Sequence, residues 1–191
     1  MPMQARHPTG VIFAGGRSTR MGHDKALVPF RGRPMIEHVA AALREAGLPV
    51  IVAGWQESIA DADSIPDLPD VGGGPAAGLA SVYEHLDGGD LFAVAVDQPL
   101  LRPETVHRLL QLPGDAVVPI AGGHPQVTCA LYREPCRAAL QTLLREGDTN
   151  LRMLLGAVAV TYVRRAEWSR WGEDGSSWKS LDTPEALQTV E

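Results

Sequence analysis

Val11-Ile12-Phe13-Ala14-Gly15-Gly16-Arg17-Ser18-Thr19-Arg20-Met21-Gly22-His23-Asp24-Lys25 sets an apolar, β-branched run against a glycine turn, two arginines and a lysine. The run reads as a buried strand, Gly10 to Ala14, whose carboxyl end empties into a loop. Gly15, Gly16 and Gly22 remove Cβ atoms from that loop, so its amide N–H groups can approach phosphate oxygens. Arg17, Arg20 and Lys25 add mobile positive charge. These are the parts of a triphosphate site, although the spacing matches neither Gly-x-x-x-x-Gly-Lys-Ser/Thr nor Gly-x-Gly-x-x-Gly.

Outward from this stretch, apolar β-rich runs alternate with segments of helical period. That pattern predicts a three-layer α/β fold, a mostly parallel sheet with helices on both faces. Met35 to Ala46 carries Met35, Ile36, Val39 and Leu43 on one side of a helix that Gly47 and Pro49 stop. Val50 to Ala53 reads as a second strand, Gly78 to Leu86 as a helix, and Leu91 to Val96 as a fully buried third strand with Asp97 at its far end. Pro103 opens the next helix, where its missing N–H is harmless. Ala116 to Val118, Gln126 to Tyr132 and Val158 to Val163 are further strand candidates, and Pro135 to Leu144 a further helix. Asp61 to Gly74, rich in Asp, Pro and Gly, reads as a loop. Glu167 to Trp178 reads as a second loop, whose tryptophans serve either a flap or, as favoured here, surface packing.

The chain has 191 residues, 45% hydrophobic and 21% charged, which predicts a single domain over 1–191 with a continuous core. No run approaches the roughly 18 apolar residues of a membrane span. Met1 to Pro8 lacks the apolar core of a signal peptide, and Cys129 and Cys136 suit neither a disulfide framework nor a Cys-x-x-Cys site. The expectation is a cytoplasmic protein with two reduced thiols and no membrane contact. A formal charge of −6 argues against nucleic acid as a partner, while leaving room for an anionic ligand at the local basic cluster between Arg17 and Arg33.

Open parallel sheets bind ligands at the carboxyl ends of their strands, so the glycine loop and Asp97-Gln98-Pro99 are candidates to face one another. Asp97 has two readings at this stage: a carboxylate for a magnesium ion that bridges nucleotide oxygens, or a turn aspartate ahead of Pro99. Lys25 has two readings, a solvated loop lysine ahead of Ala26-Leu27 or, as its glycine context favours, a charge that with Arg20 neutralises departing pyrophosphate. Gly72-Gly73-Gly74-Pro75-Ala76-Ala77-Gly78 offers a backbone surface without side-chain bulk, either for a base or ribose, with Gly74 and Gly78 as ligand contacts, or as a plain turn. Asp67 can accept from the N1–H and exocyclic amine of guanine, or cap its loop. His124, in a Gly-Gly-His-Pro turn, is either an acceptor-side residue or structural. No Ser-His-Asp order or Gly-x-Ser-x-Gly elbow supports covalent catalysis.

Phe13 to Lys25, Gly74-Pro75-Ala76-Ala77-Gly78, Asp97-Gln98-Pro99 and Asp182-Thr183-Pro184-Glu185, in that order, resemble the molybdenum cofactor guanylyltransferase family. The resemblance implies a Rossmann-like fold of nucleotidyltransferase type. It implies magnesium-dependent transfer of GMP from GTP to the terminal phosphate of molybdopterin, the organic part of molybdenum cofactor. Pyrophosphate is released and the guanine dinucleotide form of the cofactor results. Cofactor-accepting apoenzymes or other cofactor-synthesis proteins are implied as transient partners. Carried over by position, the backbone at Phe13, Ala14 and Gly15, the Lys25 side chain, Asp67 and Asp97 would hold GTP, with Asp97 on magnesium. The chain departs from the family at Ala53, Ser180 and Asp182, where asparagine is common. Asp182 either completes the magnesium shell or caps the last helix through Glu185. The Asp182-Thr183-Pro184-Glu185 form and the Gly-His-Pro turn are also similar to cytidylyltransferases acting on the same cofactor, whereas Ala-Gly-Gly and Gly-Pro-x-Ala-Gly favour guanine. A carrier without catalysis and a sugar-1-phosphate nucleotidyltransferase are the other readings.

Overall fold

Every residue of β1 (Thr9–Phe13) is buried, as a β-branched strand covered on both faces requires. The structure, a computed structural model, describes residues 8–15, 25–55, 57, 59–66 and 73–189. A 3-10 turn at Lys25–Leu27 leads to a short hairpin, β2 (Pro29–Phe30) and β3 (Arg33–Pro34), and then to α1 (Met35–Glu45). Next come β4 (Val50–Ala53), β5 (Asp63–Ile65), α2 (Pro75–Leu86) and β6 (Leu91–Ala95). The second half supplies α3 (Pro103–Leu110), β7 (Ala116–Ala121), β8 (His124–Pro125), β9 (Cys129–Tyr132) and α4 (Pro135–Arg145). It continues with α5 (Leu151–Leu154), β10 (Val160–Val163), α6 (Arg165–Trp168) and α7 (Pro184–Gln188).

The main sheet runs β10-β7-β9-β6-β1-β4-β5, with β8 folded back on β7. β6, β1, β4 and β5 are mutually parallel. β9 runs antiparallel between β6 and β7, and β10 is parallel to β7. Side-chain alternation divides the core into two layers. Ile12, Val52, Val94 and Val117 face Leu43 of α1 and Leu109 of α3. Val11, Ile51, Ala93 and Val118 face Leu79 of α2 and Leu140 of α4.

Gly78, expected as a ligand contact beside Gly74, lies where α2 packs closely on the sheet. A Cβ there would lie 3.1 Å from the Phe13 ring and 3.3 Å from Ala53 Cβ. The glycine thus lets the helix settle on the ends of β1 and β4. α2 begins at Pro75, three residues ahead of the expected Gly78, because Gly74 turns the chain with φ of +106° and Pro75 is preset for the first helical position.

Other differences have local causes. The strand expected from Gln126 to Tyr132 begins only at Cys129, because a turn closed by the Cys129 N–H on the Gln126 carbonyl (3.0 Å) occupies its first residues and separates β9 from β8. The loop expected over Asp61 to Gly74 holds β5, whose polar composition hides its pairing with Ile51 to Ala53. Within Glu167 to Trp178, Trp168 and Trp178 are buried with ring centroids 5.1 Å apart, and Trp168 Nε1 donates to the Ile120 carbonyl at 3.1 Å. Packing, not a flap, is their role. No helix among the described residues is long and apolar enough to cross a membrane.

Two measurements check this packing. An added methyl at Gly78 gains about 1 kcal/mol of helix propensity, which offsets mild crowding. Valine adds bulk against Phe13 and Ala53, so Gly78→Val should destabilise by about 1–3 kcal/mol in denaturant titration, and an unchanged midpoint contradicts the close contact. Cys129 and Cys136 are buried and free. Burial pushes the Cys136 thiol up to about 12 and drives Cys129 well above its ordinary range. Neither should react with Ellman's reagent at pH 8 until guanidinium unfolds the chain. Stoichiometric labelling of the native protein contradicts the assignment.

Candidate nucleotide-transfer site

The order of strands fixes where a ligand can lie. From β1 the chain proceeds outward to β4 and β5, then crosses through α2 to β6 on the other side of β1. The direction of travel reverses between β1 and β6, the kind of point at which an open parallel sheet forms a ligand crevice outside its carboxyl edge. Phe13 pairs in register with Ala95, so Gly15 and Asp97, each two residues further on, leave the sheet side by side.

Asp97 is the hub of this edge. Its Oδ2 lies 3.4 Å from Lys25 Nζ and accepts a hydrogen bond from Ser180 Oγ at 2.9 Å. Its carbonyl accepts from the Leu181 amide at 2.7 Å. Residues 72 and 83 positions away in sequence therefore converge on one carboxylate. The lysine contact is long and both side chains are partly exposed, 28% and 18%, so the ammonium is loosely held and free to turn to a stronger anion. Both contacts use Oδ2, which leaves Oδ1 without a partner among the described residues.

Gln98 anchors the edge from beneath. It is 3% exposed, its Oε1 accepts from the Ala95 amide at 3.2 Å, and its Nε2 donates to the Trp178 carbonyl at 3.4 Å. Two residues beyond Trp178 the chain reaches Ser180. Further back, the buried Glu173 carboxylate accepts from Thr105 Oγ1, from Ser177 Oγ at 2.7 Å and from the Gly175 amide at 2.8 Å. Sequence reasoning assigned no role to Gln98 or Glu173 and named Ser180 only as a departure from a family pattern. Gln98 alone had a local signal, since it follows a buried strand next to Asp97.

The expected loop residues behave differently. The amides of Ala14 and Gly15 both donate to the Ala53 carbonyl, at 3.1 and 3.3 Å, and the Phe13 carbonyl accepts from Val96 at 3.1 Å. These amides thus bind the sheet in this structure rather than standing open to a phosphate. Ala53 serves here through its backbone. Gly74 is partly exposed, and a Cβ on it would meet nothing within 4 Å, so it borders open space at the start of α2. Among the described residues no side chain caps that helix end. Gly16, Arg20 and Asp67 lie outside the described residues, as do Arg17 and Gly22.

Asp182 does not cap the last helix; Thr183 does, its side chain accepting from the Ala186 amide at 3.2 Å. His124 is exposed in the β7–β8 hairpin and has no described contact with Asp97. Among the described residues no three His, Cys, Asp or Glu side chains cluster as a metal cage. One carboxylate beside one hydroxyl nonetheless matches magnesium, which takes hard oxygens and keeps positions for water and substrate phosphates.

Comparison with known proteins gives the family. Residues 10–163 match the MobA-like NTP transferase domain. A molybdenum cofactor guanylyltransferase of Xanthomonas euvesicatoria pv. vesicatoria is 49% identical over 105 residues, and the likeness spans about half of each protein, 53% and 53%. A probable molybdenum cofactor guanylyltransferase of Pelotomaculum thermopropionicum is 32% identical over 183 residues, 94% of this chain and 89% of that protein. The crystal structure of molybdopterin-guanine dinucleotide biosynthesis protein A from Archaeoglobus fulgidus has the same fold, with a TM-score of 0.81 over 96% of each chain at 24% identity. The chain belongs to the MobA-like NTP transferase family.

Proposed function

We propose that the protein transfers GMP from GTP to the terminal phosphate of molybdopterin, releasing pyrophosphate and forming the guanine dinucleotide cofactor. The observation that carries the proposal is the meeting of Lys25, Asp97 and Ser180 at the β1–β6 crevice of a chain whose relatives bear the name molybdenum cofactor guanylyltransferase. In this reading residues 1–191 form one nucleotidyltransferase domain. The reaction belongs in the cytoplasm, a setting that suits two free thiols. Product passes through transient contact with cofactor-accepting apoenzymes.

The chemistry follows from the charges. Two anions must meet, the acceptor phosphate and the triphosphate of GTP, with the acceptor oxygen in line with the leaving pyrophosphate. A phosphate monoester is already ionised at neutral pH, so no side chain need remove a proton from it. The protein's work is to orient both anions and stabilise charge as it moves to the leaving group. Lys25 does the latter: leaving Asp97 for the β- and γ-phosphates costs little, because its ion pair is long and partly solvated. Arg20 adds charge from the same loop. Asp97 and Ser180 would hold magnesium, which supplies Lewis-acid screening between the phosphate groups when bound. Gly74 and the open start of α2 border the nucleotide, Gly16 and the backbone of Phe13 to Gly15 line its loop, and Asp67 reads guanine.

Asp97→Ala should lower pyrophosphate release on adding GTP, magnesium and molybdopterin by roughly 10²-fold or more, with unfolding unchanged, because one preorganised group is typically worth that much. Turnover within threefold of the parent at limiting magnesium contradicts the assignment. Lys25→Ala should depress the single-turnover rate by a similar factor while GTP remains preferred.

A panel of nucleotides with magnesium, read by thermal unfolding, separates the alternatives. A triphosphate at about 100 times its dissociation constant stabilises by about 2.7 kcal/mol, and GTP should do so more than CTP. A larger shift with CTP favours cytidylyl transfer. A GTP shift without pyrophosphate release when molybdopterin is added overturns catalysis and leaves a carrier.

A further inference from the structure

A third apolar cluster lies apart from the two layers on the sheet. Phe30, Met35 and Leu181 are fully buried in it, with Val28, Leu100 and Leu187 packed against them. Its described members come from the three stretches that meet at Asp97. Val28 to Met35 follow Lys25, Leu100 follows Asp97, and Leu181 and Leu187 follow Ser180. The backbone repeats the pattern. The Val28 amide donates to the Lys25 carbonyl at 3.2 Å, Met35 to Val28 at 3.0 Å, and Leu181 to Asp97 at 2.7 Å.

The polar contacts at Asp97 do not fix this geometry unaided. The lysine contact is 3.4 Å long and partly solvated, and Ser180 is exposed. Such pairs hold geometry weakly, whereas a leucine without exposed surface resists displacement through many contacts at once. Leu181 is fastened twice, by its amide to the Asp97 carbonyl and by its side chain to the segment that carries Lys25. It lies beyond residue 163, where the family match ends.

We propose that Leu181 is a positioning residue whose buried side chain locks the Ser180 segment to the Lys25 segment, so that both reach Asp97 together. The kinetic half of this inference rests on the transfer reaction proposed above; the coupling of the two segments does not.

The test compares Leu181→Ala and Leu181→Met in the full chain by amide hydrogen exchange and by the kinetics of pyrophosphate release from GTP. In Leu181→Ala, exchange should quicken in residues 25–35 and 180–187 together while β1 and β6 stay protected. The kcat should fall tenfold or more with KM for GTP within threefold, and Leu181→Met should stay within threefold of the parent in both. Adding Lys25→Ala to Leu181→Ala should cost less than in the parent, because the lysine has already lost its position. Faster exchange confined to residues 180–187, equal changes in kcat and KM, or fully additive rates overturn the inference. If Leu181→Ala does not fold, Leu187→Ala trims the same cluster from its half-buried rim and is read in the same way. Coupled exchange in a parent that releases no pyrophosphate overturns the reaction and supports the coupling. Uncoupled exchange in an active parent overturns the coupling alone.

Discussion

The crossing through α2 from β5 back over β1 to β6 is the constraint on which the site depends, because it reverses the direction of travel between the parallel neighbours β1 and β6. Register then determines what stands at that edge. Phe13 opposite Ala95 puts Gly15 beside Asp97, and the buried residues preceding each leave little freedom in where they emerge. A carboxylate fixed by a strand end is an anchor to which mobile groups can be brought. Lys25 and Ser180 both come to it from loops.

Small residues let the layers close around this edge. Gly78 draws α2 against Phe13 and Ala53, and among the described residues no side chain caps the first turn of that helix. The positive end of a helix in that position favours an anion beyond β1. On the other side, Gln98 and the buried Glu173 bind the chain from Gly175 to Trp178, so the segment reaching Ser180 starts from a fixed point. The site thus combines firm supports with polar groups that are themselves loosely paired, as suits groups that must exchange partners when substrates arrive.

Much of this was legible from local pattern. The unbroken apolar run of Val11, Ile12 and Phe13 specified a strand buried on both faces, and Pro103 and Pro135 marked helix starts because their rings fit only the first turn. The approach of Lys25 to Asp97 could be anticipated because both follow strand ends in a parallel sheet. The direction of β9 could not, since four apolar residues, Cys129 to Tyr132, look the same read either way. β5 was hidden by polar residues around a single buried Ile65. The hairpin of β2 and β3 has only two residues in each strand, too few for any period to register. The third cluster joins residues near 30 to residues near 181 and leaves no local trace, so Ser180 and Leu181 became visible only in three dimensions. Gly78 shows why a glycine is hard to read from sequence, since the signature of close approach is the same whether the neighbour is a ligand or a phenylalanine ring.

The central claim, that a triphosphate lies in the β1–β6 crevice with Asp97 as its anchor, is tested most directly by a crystal structure with a nonhydrolysable GTP analogue and magnesium. The account predicts one divalent ion between Asp97 and the phosphates, with Lys25 Nζ turned from Asp97 to the β- or γ-phosphate oxygens. A triphosphate bound away from Asp97, with the Lys25–Asp97 contact intact, contradicts it.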